Sequence, residues 1–124
     1  SGYHTLSAAA GGAVPLVANF GAGAASARYF VVGSLSGTQP GMVFDGGVLP
    51  LNRDEFLVAS FALANHPPFR NTQGLLDPNG RAEAAFLPGP EQLAALVGQR
   101  VDWSAMTFPG HPLIAPPVGF DVVP

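Results

Sequence analysis

The stretch Arg28-Tyr29-Phe30-Val31-Val32-Gly33 decides the fold class of this chain of 124 residues. Aromatic and β-branched residues follow one another here, and both types are enriched in strands. A strand that is apolar on both faces is typical of a sheet that is covered on both sides. The stretch therefore predicts a strand with packed layers on each of its faces.

Shorter segments on either side show the two-residue period of strands. Residues 13–20 place Val14, Leu16 and Ala18 on one face, and Pro15, which lacks an N–H, predicts an edge strand or a bulge. Residues 100–108 alternate in the same way around Trp103. Further short strands are predicted at residues 3–8, 43–44, 47–51, 82–86 and 118–123.

Two segments carry helical features. In residues 52–64, Asn52 is placed to cap a helix, but apolar residues alternate on both faces, so we expect an extended segment. Residues 90–97 predict one short helix, because Pro90 lies near its first position and Gly98 follows its end. Leu93, Ala94, Leu96 and Val97 are expected on one side of that helix.

Asp77-Pro78-Asn79-Gly80 is the clearest turn signal in the chain. It fits a type I turn followed by Gly80 in the left-handed conformation, a connection that is common between the two strands of a hairpin. We therefore predict a hairpin around this turn.

These elements together predict one domain over residues 1–124. Glycine and proline, 16 and 13 of them, interrupt every long helical pattern. Seven to nine short strands at fairly regular spacing are typical of an antiparallel β-sandwich, immunoglobulin-like or jelly-roll-like. The predicted fold is all-β, with one short helix near residues 90–97.

Several segments resemble a known but uncharacterised domain. Residues 29–41 are similar to its LVLGSLSGTxPG segment, a pattern of secreted proteins from planctomycete-like and other high-GC bacteria. Residues 49–52, 74–82 and 96–101 resemble its LPLN, GxLDxNGRA and LxGxxv segments, whereas residues 103–106 depart from its FQAxVxD. The resemblance implies an extracellular β-sandwich and transfers no catalytic residue.

The charge pattern excludes several partner classes. Charged residues make up 10% of the chain, lysine is absent, and the five arginines are scattered. Nucleic acids and anionic membrane surfaces attract clustered cations, so neither is an expected partner. No apolar run approaches the roughly 20 residues of a spanning helix, so no transmembrane segment is expected. Low charge favours an extracellular or cell-surface location.

No arrangement of nucleophile and base emerges from the sequence. In residues 33–37, Gly-Ser-Leu-Ser-Gly, the central position of a nucleophile elbow is Leu35 rather than serine. His4, His66 and His111 each lie beside turn residues, and nothing in the pattern draws them together. We predict no catalytic residue and no enzymatic activity.

Metal ligands are equally sparse. The chain has no cysteine, and its histidines lack the spacing of a zinc site. Asp77–Gly80 lacks the remaining ligands of a calcium loop. Asp45, Asp54 and Glu55 stay open as a surface calcium site, although we predict neither a metal nor a cofactor.

Aromatic rings and strand-like ends suggest two kinds of binding. Rings that stack on sugar faces would be supplied by Tyr3, Tyr29, Phe69, Trp103 and Phe108, with burial in the core as the alternative. Strand addition at an unguarded sheet edge would use the two chain ends. The residues predicted for such assembly are Tyr3, Leu6, Val118, Phe120 and Val122.

The sequence therefore predicts a non-catalytic extracellular structural protein that self-associates. It would form a homo-oligomer or polymer, as a filament or surface-layer subunit of a bacterial cell surface. The alternative is a carbohydrate-binding or adhesive accessory module of a secreted protein, with a polysaccharide as its partner.

Overall fold

The computed structural model describes residues 3–7, 14–39, 41–44, 47–108, 113–114 and 117–124. In these ranges the chain forms ten strands and two α-helices. The strands are β1 (Tyr3–Ser7), β2 (Val14–Asn19), β3 (Arg28–Ser34), β4 (Met42–Phe44), β5 (Gly47–Leu49), β6 (Phe69–Arg70), β7 (Gln73–Leu75), β8 (Arg81–Phe86), β9 (Arg100–Phe108) and β10 (Val118–Val123). The helices are α1 (Glu55–Ala62) and α2 (Pro90–Ala95).

Two sheets form a β-sandwich, which confirms the predicted all-β fold. The five-stranded sheet has the order β1-β10-β9-β3-β7, and the three-stranded sheet has the order β2-β8-β6. A separate hairpin joins β4 and β5. All pairs are antiparallel except β1 with β10, which run parallel.

The sandwich core lies between the two sheets. Val14, Leu16 and Ala18 of β2 are buried and alternate with more exposed residues, as the sequence predicted, and Pro15 lies on an edge strand. Four rings meet in this core: Phe86 lies 5.1 Å from Trp103 between ring centroids, with Phe56 and Phe69 alongside. Apolar faces of both sheets are thereby removed from water.

The opposite face of the five-stranded sheet is covered as well. Phe30 and Val32 of β3 and Met106 of β9 pack there against Leu49, Leu51 and Leu57, in what we call the helix-side cluster. Tyr29 and Val31 point the other way, into the sandwich core. The prediction that residues 28–33 form a strand covered on both faces is confirmed.

Residues 52–64 were expected to be extended, and this prediction is wrong because residues 55–62 form α1. The helix lies along the edge of β3, so it contacts both cores. Phe56 packs against the sandwich core, whereas Leu57 belongs to the helix-side cluster. A helix buried on two sides lacks the single apolar stripe of an amphipathic helix, which explains the misleading pattern.

The Asp77–Gly80 turn is present, but the predicted hairpin is wrong. Gly80 has the expected left-handed φ of 74°. However, β7 pairs with β3 in one sheet, and β8 pairs with β2 and β6 in the other. The turn therefore joins the two sheets of the sandwich. Its internal hydrogen bonds, such as Asp77 accepting from Asn79 and Arg81, do not depend on the partners of the flanking strands.

The predicted helix near residues 90–97 is observed as α2. Leu93 and Leu96 are buried, as expected. Ala94 and Val97 were placed on the same side and are exposed instead, because the short helix turns a single narrow stripe toward the core. Gly98 follows its end with a φ of 85°, in agreement with the predicted stop.

Candidate functional site

At the edge of β3 that has no neighbouring strand, the backbone N–H groups donate hydrogen bonds to other parts of the chain. β7 pairs with β3 only as far as Phe30. Beyond that point, the N–H groups of Val31, Gly33 and Leu35 donate to the Thr72 carbonyl at 2.7 Å, to Ser60 Oγ at 3.2 Å and to Asp54 Oδ2 at 2.8 Å. Side chains of α1 and its cap thus replace a neighbouring strand. This edge is closed to strand addition.

Asp54 is the most heavily hydrogen-bonded side chain at this edge. Its carboxylate accepts from the Leu57 and Leu35 amides, both at 2.8 Å, and from Ser36 Oγ at 2.9 Å, with Ser34 Oγ at 3.2 Å. Burial raises the pKa of this carboxyl, but the donors, led by the Leu57 amide, outweigh burial and lower its pKa below the usual 3.8. Asp54 is therefore ionised at neutral pH, and it caps α1 in place of the expected Asn52.

Asn52 connects the neighbouring loop. Its Nδ2 donates to the carbonyls of Ser36 at 2.7 Å and Gln39 at 2.8 Å, and its Oδ1 accepts from the Gly41 amide at 3.0 Å. Two segments that carried the family resemblance, residues 29–41 and 49–52, are thus in direct contact. The sequence marks both segments but carries no signal that places them together.

The side chains of Ser34, Asn52 and Asp54 form a polar cluster that binds backbone groups. Ser34 is fully buried, and its hydroxyl donates to the Asn52 carbonyl at 2.7 Å. Its oxygen also lies 3.2 Å from Asp54, without an intervening imidazole. A serine nucleophile needs an adjacent base and access to substrate. The arrangement therefore fixes the backbone of residues 34–36 at the start of α1.

Asp54 and Glu55 are the two described residues among those considered for a calcium site. The carboxylate of Asp54 points to amide and hydroxyl donors, Glu55 is exposed, and Asp45 lies outside the described residues. Within the described ranges, no group of three or more His, Asp or Glu side chains is placed to hold a metal ion. His66 is exposed, and the side chains of His4 and His111 are outside the description.

The aromatic residues proposed for sugar stacking lie in different environments. Tyr29, Phe69 and Trp103 are 1%, 4% and 2% exposed in the sandwich core, where a sugar cannot reach their faces. The side chain of Tyr3 lies outside the description. Phe108 is half-buried, and it lines a surface hollow of about 360 Å³ together with Arg28 and Gln73.

The strands predicted for assembly pair with each other within one chain. The register of β1 on β10 runs from Tyr3 opposite Gly119 to Ser7 opposite Val123, and it places Leu6 opposite Val122. Val122 is buried, whereas Val118 and Phe120 are half-buried. β1 forms one edge of the five-stranded sheet.

A cavity that sequence analysis did not anticipate lies on the helix side. It has a volume of about 220 Å³ and is open to solvent beside α1. Its apolar lining comes from the sheet, the β4–β5 hairpin and α1, and includes Phe30, Val32, Met42, Leu49, Leu57 and Phe61. Among the described residues, Arg53 is the one charged residue in the lining. These residues are scattered over 33 positions of sequence, so no local pattern marks them as a site.

No protein-family model, curated protein or solved structure matches this chain. Among the helices of the described ranges, none combines the length and apolar character needed to cross a membrane.

Proposed function

We propose that this chain is a non-catalytic extracellular structural module that self-associates through its N-terminal strand. The observation that carries the proposal is the position of β1 at a sheet edge, paired in parallel with the C-terminal strand β10. Copies of a protein can exchange an identical element, and a strand held by main-chain pairing can add to the same sheet of another copy. The resulting oligomer or filament would serve a bacterial cell surface.

The connection of β1 supports this exchange. β1 belongs to the five-stranded sheet, whereas the next strand, β2, belongs to the three-stranded sheet. Residues 8–13 between them read Ala-Ala-Ala-Gly-Gly-Ala, and glycine lets the backbone change direction at little steric cost. In an exchanged pair, β1 of one copy pairs with β10 of the other copy in the same register as within one chain. A closed exchange gives a dimer, and an open one gives a filament.

The charge distribution also supports self-association through β1. Proteins that remain monomeric commonly guard sheet edges with lysine or other charges. This chain contains no lysine, and Asp121 is the one charged residue of β10. Few charges therefore oppose the approach of a second copy to this edge. The low overall charge and the resemblance to secreted proteins support the extracellular location.

Cysteine cross-linking tests the exchange directly, because the natural chain has no cysteine. Thr5 and Asp121 are paired across β1 and β10. One preparation carries Thr5→Cys, a second carries Asp121→Cys, and the two are refolded together and oxidised. We expect an intermolecular disulfide between the two variants, since paired residues of neighbouring strands lie within disulfide reach.

Two controls accompany this experiment. Leu75→Cys, at the exposed opposite edge of the same sheet, replaces Thr5→Cys and should give no cross-link with Asp121→Cys above background. Both cysteines in one chain should form the internal disulfide. Light scattering that stays near 12.7 kDa at every concentration, with no cross-link above the Leu75→Cys control, would overturn the proposal.

Carbohydrate binding is the second candidate, and the hollow at Phe108 favours it. An aromatic ring beside Arg28 and Gln73 combines a stacking surface with side chains that hydrogen-bond hydroxyl groups. A monomeric protein that is retained on insoluble polysaccharide would support this alternative. Retention should then fall for Arg28→Ala but not for Arg70→Ala, an exposed arginine on the other sheet.

A further inference from the structure

We propose that the helix-side cavity binds a small amphipathic carboxylate, with its hydrocarbon chain inside the cavity and its anionic group at Arg53. This site is independent of self-association. It lies on the face of the five-stranded sheet that is covered by α1 and the β4–β5 hairpin, and its described lining residues fall between Phe30 and Ala62 of the chain.

The volume and lining of the cavity select a hydrocarbon. An apolar cavity of about 150 Å³ in a protein core stays dry and takes up benzene. The present cavity, at about 220 Å³, is larger and is lined by aromatic and aliphatic side chains. By the same scale it admits a chain of about eight carbon atoms. Met42 in the lining adds an unbranched, adaptable side chain of the kind that accommodates varied apolar ligands.

The cavity opens to solvent beside exposed apolar residues of α1. Val58 and Phe61 contribute to the lining and yet are 44% and 39% exposed. Large apolar residues at that exposure leave hydrocarbon surface in water, which a bound chain would cover. Phe61 also contacts Phe30 edge-to-face at 5.3 Å, so the rim and the floor of the cavity are in contact.

Arg53 determines the charge of the ligand. It is exposed, it lines the same cavity, and within the described ranges neither ion pair involves it, since these join Arg81 to Glu83 and Arg100 to Asp102. The adjacent Asp54 carboxylate is turned toward the Leu35 and Leu57 amides. A guanidinium presents paired donors that match a carboxylate. The occupant is therefore an apolar chain that ends in a carboxylate.

The test uses sodium carboxylates of increasing length on the full chain. Selective ¹³C labelling of methionine methyl groups gives two signals, since the chain has two methionines. Met42 lines the cavity, whereas Met106 is fully buried deeper in the helix-side cluster. We expect octanoate to shift the Met42 signal saturably and more than the Met106 signal. Fluorescence of Trp103, in the sandwich core, monitors the integrity of the fold.

Chain length should change the affinity in a characteristic way. Each methylene that enters the cavity should tighten binding about fourfold from butanoate to octanoate. Longer chains should gain little, because the cavity is then filled. A gain that continues undiminished through dodecanoate would indicate adsorption to the surface and would overturn the proposal. Failure of octanoate to shift Met42 saturably would also overturn it.

Two variants measure separately how the charge of Arg53 and the space in the cavity contribute to binding. Arg53→Gln should weaken octanoate binding about fivefold and leave octan-1-ol binding unchanged, whereas the exposed Arg70→Gln should change neither. Ala62→Leu fills the lining from α1 and should weaken both probes at least tenfold, whereas Ala94→Leu on the exposed side of α2 should not. Octan-1-ol and octanoate binding the natural chain equally well, or Ala62→Leu without effect, would overturn the assignment.

Discussion

The two faces of the five-stranded sheet are packed in different ways, although β3 supplies alternate residues to both. On the sandwich side, strands pack on strands and four aromatic rings fill the core, leaving a hollow of about 70 Å³ near Trp103. On the other side, a helix and a short hairpin cover the sheet and leave a cavity of about 220 Å³. Side chains of the two inner sheet faces interdigitate in the sandwich core, whereas α1 and the hairpin leave space between themselves and the sheet.

The difference separates two roles within one small protein. The tightly packed sandwich core provides stability, because each buried ring adds many close contacts. The loosely packed helix side provides room for a ligand. Side chains of the same chemical kind, Val31 and Val32 for example, take part in one or the other according to what covers them.

Truncation of one residue on each side should show the difference in packing between the two faces most clearly. Trp103→Ala should reduce the free energy of unfolding by about 3–5 kcal/mol, because it opens a void in a filled core. Met42→Ala should reduce it by only about 1 kcal/mol, because Met42 is half-buried beside space that already exists. Urea unfolding followed by circular dichroism measures both. Equal losses would show that the two sides are equally well packed.

The turn that joins the two sheets offers a sharper test with a matched pair of glycines. Gly80 and Gly98 have similar φ values of 74° and 85°. A Cβ at Gly80 would lie 1.7 Å from the Gly21 carbonyl oxygen, whereas nothing lies within 4 Å of one at Gly98. Gly98→Ala should therefore cost only the left-handed strain of about 1 kcal/mol. Gly80→Ala should cost about 2–4 kcal/mol, because the backbone must also shift.

Thermal unfolding of the two alanine variants measures the difference. Near-equal losses would mean that the backbone at Gly80 and Gly21 adjusts freely. A larger loss for Gly80→Ala would show that the close approach of Gly80 to Gly21 stabilises the fold at the end of the β2–β8 pairing, where the Phe20 amide also donates to the Gly80 carbonyl at 2.9 Å.

The smallest expected effect concerns the attachment of α1. The pKa of Asp54 is lowered in the folded protein, so its contribution to stability is complete above the unfolded value near 3.8 and is lost as the pH falls below it. Asp54→Asn should reduce stability at pH 7 by about 1–2 kcal/mol and weaken the loss between pH 4 and pH 2. Urea midpoints at pH 7, 4, 3 and 2 measure this.

Glu55→Gln is the control for that experiment, because it removes the same formal charge at an exposed neighbouring position. It should leave the acid-dependent loss in place. An Asp54→Asn variant with the same pH profile as the natural chain would contradict the role of its hydrogen bonds in holding α1 to β3.

Local patterns in the sequence determined most of the strands. Alternation identified the buried face of β2, and the unbroken apolar run of β3 indicated a strand covered on both sides. β9 has the predicted bounds, but it is buried on both faces rather than alternating. The left-handed Gly80 followed from turn chemistry alone, since few other residues adopt that conformation without strain. These features depend on residues that are near one another in the chain.

What those elements pack against depends on residues that are distant from them in the chain. The apolar residues of 52–64 are compatible with a strand or a helix. The helix is observed because Asp54 and Ser60 accept hydrogen bonds from the N–H groups at the free edge of β3. It also allows Phe56 and Leu57 to pack in separate cores. The same holds for the turn at Gly80, whose flanking strands found partners in different sheets. The cavity is assembled from three elements distant in sequence, because a void is a property of packing and no single segment encodes it.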